Sequence, residues 1–153
     1  MDQTAFAAYR YSGIYRSTDG GATWQSFGLG SLDPANPSAI SVAISPGYAT
    51  DYTVWAGTEY HGVLVSPNSG ATWIESKPAL EDCRSLLADG SGVERRVYAG
   101  CKQSSGGYYS IYSQGADGIW ENSGPNLYAW QALSLAKAPD SGTLFAAAAS
   151  DGI

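Results

Sequence analysis

The stretch Ser17-Thr18-Asp19-Gly20-Gly21-Ala22-Thr23-Trp24 returns 49 positions later as Ser66-Pro67-Asn68-Ser69-Gly70-Ala71-Thr72-Trp73. Both read S-x-[D/N]-x-G-x-T-W. A looser copy follows at a spacing of 47, Ser113-Gln114-Gly115-Ala116-Asp117-Gly118-Ile119-Trp120. It keeps the first Ser and the last Trp and moves the acid from third to fifth place. Self-similarity at such a period signals a repeat architecture, in which each unit buries its apolar face against its neighbours.

Working outward, an apolar segment with a small-residue centre precedes each copy. These are Ala5-Phe6-Ala7-Ala8, Val54-Trp55-Ala56-Gly57-Thr58 and Val97-Tyr98-Ala99-Gly100-Cys101, and Leu144-Phe145-Ala146-Ala147-Ala148 opens a further unit. The second unit reads as four short strands, A over 40–45, B over 53–58, C over 62–66 and D over 72–76. Strand A alternates Ile40, Val42 and Ile44 with Ser41, Ala43 and Ser45, and Gly, Pro and Asn punctuate the ends. Residues 80–89 come nearest to a helical stripe. Because 83–88 align with 40–45, they are read as strand.

The expected fold is therefore all-β: a β-propeller of four-stranded antiparallel blades, about three of them present. The units fall at about 1–29, 38–78, 82–124 and 130–153, in one partial domain. A portion of a longer ring is favoured over a ring assembled from copies. Either way the open ends call for further blades or self-association, with the Phe6 and Phe145 regions expected near them.

The repeated phrase lies between strands C and D, so it is a hairpin turn. Asp19 or Asn68 accepts hydrogen bonds from nearby backbone N–H groups. Gly21 and Gly70 supply positive φ without a Cβ clash. Thr23 and Thr72 begin strand D, and Trp24, Trp73 and Trp120 are expected to pack at equivalent places between sheets. A catalytic or metal-binding Asp19 is disfavoured, because the second copy carries Asn68 there.

S-x-D-x-G-x-T-W resembles the Asp-box, or BNR repeat, of sialidases, xyloglucan-hydrolysing propellers, sortilin-type receptor ectodomains and photosystem II assembly factors. The match is full at 17–24 and near full at 66–73, and only Ser113 and Trp120 keep their places in the third copy. With the flanking strands the resemblance spans essentially the whole chain. Residues 44–58 also resemble the A–B hairpin of bacterial proteins with many such repeats, often secreted or surface-bound. In these families the motif is structural and occurs in enzymes and non-enzymes alike, so it implies fold more than function.

A net charge of −6 and a pI near 4.5 argue against nucleic acid, whose backbone calls for a basic patch. No apolar stretch approaches the ~20 residues of a membrane helix, and no signal peptide is visible at the N-terminus. The two cysteines, Cys83 and Cys101, fall opposite each other in a hairpin that turns near Gly90-Ser91-Gly92, which permits a cross-strand disulfide. Such a bond points to an extracellular, cell-surface or periplasmic setting. A metal site is not expected, since His61 is the one histidine and no C-x-x-C occurs.

Nucleophile-elbow, zincin, Walker and dinucleotide patterns are missing, and no cofactor is expected. The five arginines, Arg10, Arg16, Arg84, Arg95 and Arg96, do not form the arginine motif that opens sialidase propellers. A glycosidase needs two carboxylates ~5–9.5 Å apart, for which Glu59, Glu81 and Asp82 are loop candidates. The B–C and D–A loops share one end of the blades. They carry Arg10, Tyr11, Glu59, Tyr60, His61, Lys102, Gln103, Tyr108, Tyr109 and residues 125–128, aromatic and polar groups suited to a glycan or protein ligand. The leading expectation is a non-enzymatic binding or assembly scaffold. A glycoside hydrolase with catalytic residues partly outside this segment is the first alternative, and a photosystem assembly factor the second.

Overall fold

The computed structural model describes residues 3–29, 38–77, 79–90, 92–104, 107–124 and 131–149. The expectations on 125–128 and on the C-terminal 150–153 lie outside the described residues. Among the described residues thirteen strands form four antiparallel sheets in sequence order. The first holds β1 (Ala5–Tyr9), β2 (Gly13–Ser17) and β3 (Gln25–Gly28). The second holds β4 (Ala39–Ile44), β5 (Val54–Thr58), β6 (Val63–Ser66) and β7 (Ile74–Lys77). The third holds β8 (Leu80–Asp89), β9 (Arg96–Gln103), β10 (Tyr109–Gln114) and β11 (Trp120–Asn122), and the fourth β12 (Gln131–Lys137) and β13 (Leu144–Ala149). Every described strand pairs with its neighbours in sequence, the meander of a propeller blade. Residues 80–89 are strand, as read. Two short turns, α1 (Tyr48–Asp51) and a 3₁₀ turn at Gly92–Glu94, sit in the A–B connections.

The core is a series of layers between sheets. Ile14 and Leu29 of the first sheet meet Val54, Ala56, Leu64 and Trp73 of the second, with Phe6 and Ala8 packed alongside. Trp55 and Val63 of the second meet Leu80, Val97, Ala99 and Tyr112 of the third. Tyr109 and Ile111 of the third meet Leu135 and Leu144 of the fourth. Gly57 permits the tightest of these approaches. A Cβ there would stand 2.2 Å from the Ser41 Oγ and 2.3 Å from the Cys83 carbonyl oxygen.

The turns repeat almost bond for bond. In the first, the Ser17 hydroxyl donates to Asp19 Oδ1 (2.7 Å), Gly21 N–H donates to Ser17 Oγ (2.8 Å) and Thr23 N–H donates to Asp19 Oδ1 (2.9 Å). In the second, Ser66 donates to Asn68 Oδ1 (3.0 Å), Gly70 N–H to Ser66 Oγ (2.8 Å) and Thr72 N–H to Asn68 Oδ1 (2.9 Å). Two groups change role: the indole, since Trp24 Nε1–H donates to the Gly21 carbonyl (3.0 Å) while Trp73 Nε1–H is buried without a partner, and the threonine hydroxyl. Thr23 donates to Asp19 Oδ2 (2.6 Å), whereas Thr72 accepts from Asn68 Nδ2 (2.9 Å). Gly21 and Gly70 have φ of 95° and 87°, which a side chain would resist. Arg16 ties the two turns together, its guanidinium donating to the Ser69 carbonyl (3.2 Å) and stacking over Phe27. The third copy is rebuilt: Asp117 caps Ile119 N–H (3.0 Å) and Ser113 pairs with Ser123.

Three expectations on packing need correction. Trp73 is 7% exposed, yet Trp24 is 44% exposed. The two indoles sit alike on their own loop glycines, Trp24 Cζ2 3.7 Å from a Cβ at Gly21 and Trp73 Cζ2 3.6 Å from one at Gly70. Phe6 and Phe27 of the first sheet close over the second turn, while no described sheet lies over Trp24, which lines an open apolar groove with Ala7, Tyr9 and Tyr15. Trp120 is half-buried and reaches back to the second sheet, its Nε1–H donating to Ser76 Oγ (3.0 Å). Phe6, expected near an open end, faces the second sheet and meets Tyr48 edge-on with ring centres 5.7 Å apart. Phe145 is exposed as expected.

Candidate functional site

The loops between the second and third strands of each unit gather at one end of the blades. Tyr11, Tyr60 and Tyr108 stand on three successive loops and are 63%, 53% and 45% exposed. Tyr11 has φ 70° and lies under the Arg10 guanidinium, 5.2 Å from its ring centre. A groove of about 300 Å³ runs among Arg10, Ile40, Glu59, Asp82 and Arg84. Its walls come from the first, second and third sheets.

Arg10 and Glu59 lie 49 residues apart, the period of the repeat, so one place in successive units carries opposite charges. Arg10 Nε donates to Glu59 Oε2 (3.1 Å), a second guanidinium nitrogen donates to Glu59 Oε1, and Ser38 Oγ donates to Glu59 Oε2 (2.8 Å). The forked guanidinium first, and then the Ser38 hydroxyl, hold the Glu59 carboxyl below its ordinary range. On the other wall Arg84 Nε donates to Asp82 Oδ1 (2.8 Å) and the Tyr109 hydroxyl donates to Asp82 Oδ2. Burial, then this bond to Asp82, pushes the Tyr109 phenol up to about 12.

Tyr109 therefore departs from its expected place on the ligand face. Its ring is buried against the fourth sheet, where it supports Asp82 from beneath. His61 stands beside Glu75, Nδ1 3.7 Å from Oε1, away from the groove lining. Ser38 carried no sequence signal. Arg10 with Glu59 was findable as an oppositely charged pair at the repeat spacing.

The disulfide joins Cys83 to Cys101, both fully buried, with Cα atoms 4.1 Å apart. Among the described residues no three His, Cys, Asp or Glu side chains gather as metal ligands, and no helix is long and apolar enough to cross a membrane. A larger cleft of about 490 Å³ opens at the opposite end, between the 3₁₀ turn and the rebuilt third turn. Its lining, including Glu94, Arg95, Asp117 and Glu121, comes from the third unit alone, so it lacks the convergence of several sheets found in the groove.

The fold is similar to those of solved GH74 enzymes, which are β-propellers. An ancestral GH74 enzyme superposes with a TM-score of 0.74 over 95% of this chain at 18% identity. The GH74 enzyme of Niastella koreensis gives 0.65 over 82% at 19% identity, and the GH74 xyloglucanase of Xanthomonas campestris 0.54 over 78% at 18% identity. The chain spans about 20% of the length of each. At such identities the likeness shows the fold, an arc of propeller blades. No family model and no curated protein matches the sequence.

Proposed function

We propose that this chain is a section of a glycoside-hydrolase-type propeller and that the loop end bearing Tyr11, Tyr60 and Tyr108 binds the carbohydrate. The observation that carries the reading is the repetition of an exposed tyrosine on three successive loops beside a groove of paired charges. Each ring offers an apolar face for the C–H face of a sugar and a hydroxyl for its rim. Arg10, Glu59, Asp82 and Arg84 offer donors and acceptors for sugar hydroxyls. The GH74 fold neighbours support this ligand class over a protein partner, and the repeated turns support an Asp-box assignment. Further blades of the same ring would cover the faces of Trp24 and Phe145. The disulfide supports an exported setting.

Hydrolysis needs one carboxyl that keeps its proton at working pH and one that does not. Glu59, lowered by Arg10, suits the second role and not the first. The paired charges of the groove are read as binding surface for the sugar hydroxyls. A non-catalytic binding scaffold is the second reading, favoured because both groove acids are already paired with arginine. Electrophoresis through gels containing xyloglucan or another neutral β-glucan tests the binding. Retarded migration that Tyr60→Ala abolishes is expected, and unchanged migration in every neutral polysaccharide contradicts it. Release of new reducing ends separates the hydrolase from the scaffold.

A further inference from the structure

β8 and β9 pair in two registers. Leu80 and Glu81 lie opposite Gln103 and Lys102, while Ser85 lies opposite Gly100 and Asp89 opposite Arg96. The registers differ by two positions. Asp82, Cys83 and Arg84 take up the difference in a bulge opposite Cys101, a device that re-aims side chains. Asp82 adopts φ 50°, and its N–H donates to the Glu59 carbonyl (2.9 Å). Cys83, in the middle of the bulge, is buried. It is bonded to Cys101, lies against Gly57, and its carbonyl accepts from Ser41 Oγ (2.7 Å). The residues on either side of it, Asp82 and Arg84, line the groove.

We infer that the Cys83–Cys101 disulfide is a positioning device for the groove, pinning the bulge so that Asp82 and Arg84 stand together in its wall. Remove the bond and no covalent link keeps the two registers apart. β8 is then free to pair throughout in the register of its longer half, which places Asp82 opposite Gln103. That is a travel of two residues, ~7 Å along the strand. It carries the carboxylate away from the Glu59 carbonyl and the Tyr109 hydroxyl. A bond that served stability alone, by restricting the unfolded chain, would leave the groove as it is.

The test is the Cys83→Ala/Cys101→Ala variant, read by NMR of the arginine side chains with the Arg84 Nε–H identified from Arg84→Lys. In the native protein that proton is bonded to Asp82 and is expected to exchange slowly. The variant should lose the slow signal and keep the corresponding one of Arg10, whose partner Glu59 is not in the bulge. A binding arm, which rests on the carbohydrate reading, uses a xyloglucan oligosaccharide; its affinity should fall at least about tenfold. If the native protein ignores the oligosaccharide, the carbohydrate reading fails and the arginine signals still decide the positioning. A variant that melts earlier with the Arg84 signal unchanged overturns the inference. Ser41→Ala, which keeps the disulfide and frees the Cys83 carbonyl, should retain the signal. Its loss there would assign the bulge to Ser41 and overturn the inference too, even where the cysteine variant does not fold.

Discussion

Gly57→Ala should be among the most damaging single-methyl additions in the molecule. The new Cβ would stand 2.3 Å from the Cys83 carbonyl oxygen, 2.2 Å from Ser41 Oγ and 3.0 Å from Cys83 Cβ. Comfortable separation is about 3.5 Å, so the second and third sheets must part by roughly 1 Å, or one strand must buckle. The carbonyl cannot swing aside, because its residue is held by the disulfide. Overpacking of this kind costs about 1–3 kcal/mol. Losing the Ser41–Cys83 hydrogen bond adds about 1 kcal/mol, and the stiffer unfolded chain returns about 0.4–1 kcal/mol. The net expectation is a loss of about 2–3 kcal/mol, read from the urea midpoint with the slope unchanged. Ser41→Ala should not rescue it, because the clash with the Cys83 carbonyl remains. A Gly57→Ala protein as stable as the parent would show that the sheets do not approach as described.

Trp73→Ala should cost about 3–5 kcal/mol by emptying the layer between the first two sheets, whereas Trp24→Ala should cost less than half of that in the same denaturation assay. Trp73→Phe should be milder than Trp73→Ala, since the Trp73 indole N–H is buried without a partner. Asp19, held down to about 2 first by its bonds from Thr23 and then by Ser17, supplies stability that is complete above the ordinary carboxylate value and is lost as pH falls toward 2. Asp19→Asn should remove that part of the acid dependence and fold normally at neutral pH, as Asn68 does; an unchanged acid-unfolding profile would contradict this.

The repeated octet made the blade legible, because its turn is satisfied by its own side chains. Ser17 with Asp19, and Ser66 with Asn68, close the same bonds whatever surrounds them. The strands, the strand reading of 80–89 and the facing cysteines followed from alternation and alignment, which are also local. The exposure of Trp24 was not legible, because an identical turn is buried or open according to the sheet laid over it. Tyr109 looked like its neighbour Tyr108 in sequence, yet Tyr109 opens β10 and is buried against the fourth sheet, while Tyr108 stays on the loop at the surface. The bulge at 82–84 left no pattern, since a register slip is set by the partner strand and by the disulfide. The groove needed residues from three units at once, and only the Arg10–Glu59 pair left a trace, at the spacing of the repeat.

The loop end with Tyr11, Tyr60 and Tyr108 is the proposed carbohydrate face. Amide chemical-shift mapping during titration with a xyloglucan oligosaccharide tests it most directly. Shifts that saturate and cluster at Arg10, Tyr11, Glu59, Tyr60, Asp82 and Tyr108 are expected, with the turns at Asp19 and Asn68 silent. Shifts confined to the opposite end, around Glu94, Asp117 and Ile119, or none at any concentration, would contradict it.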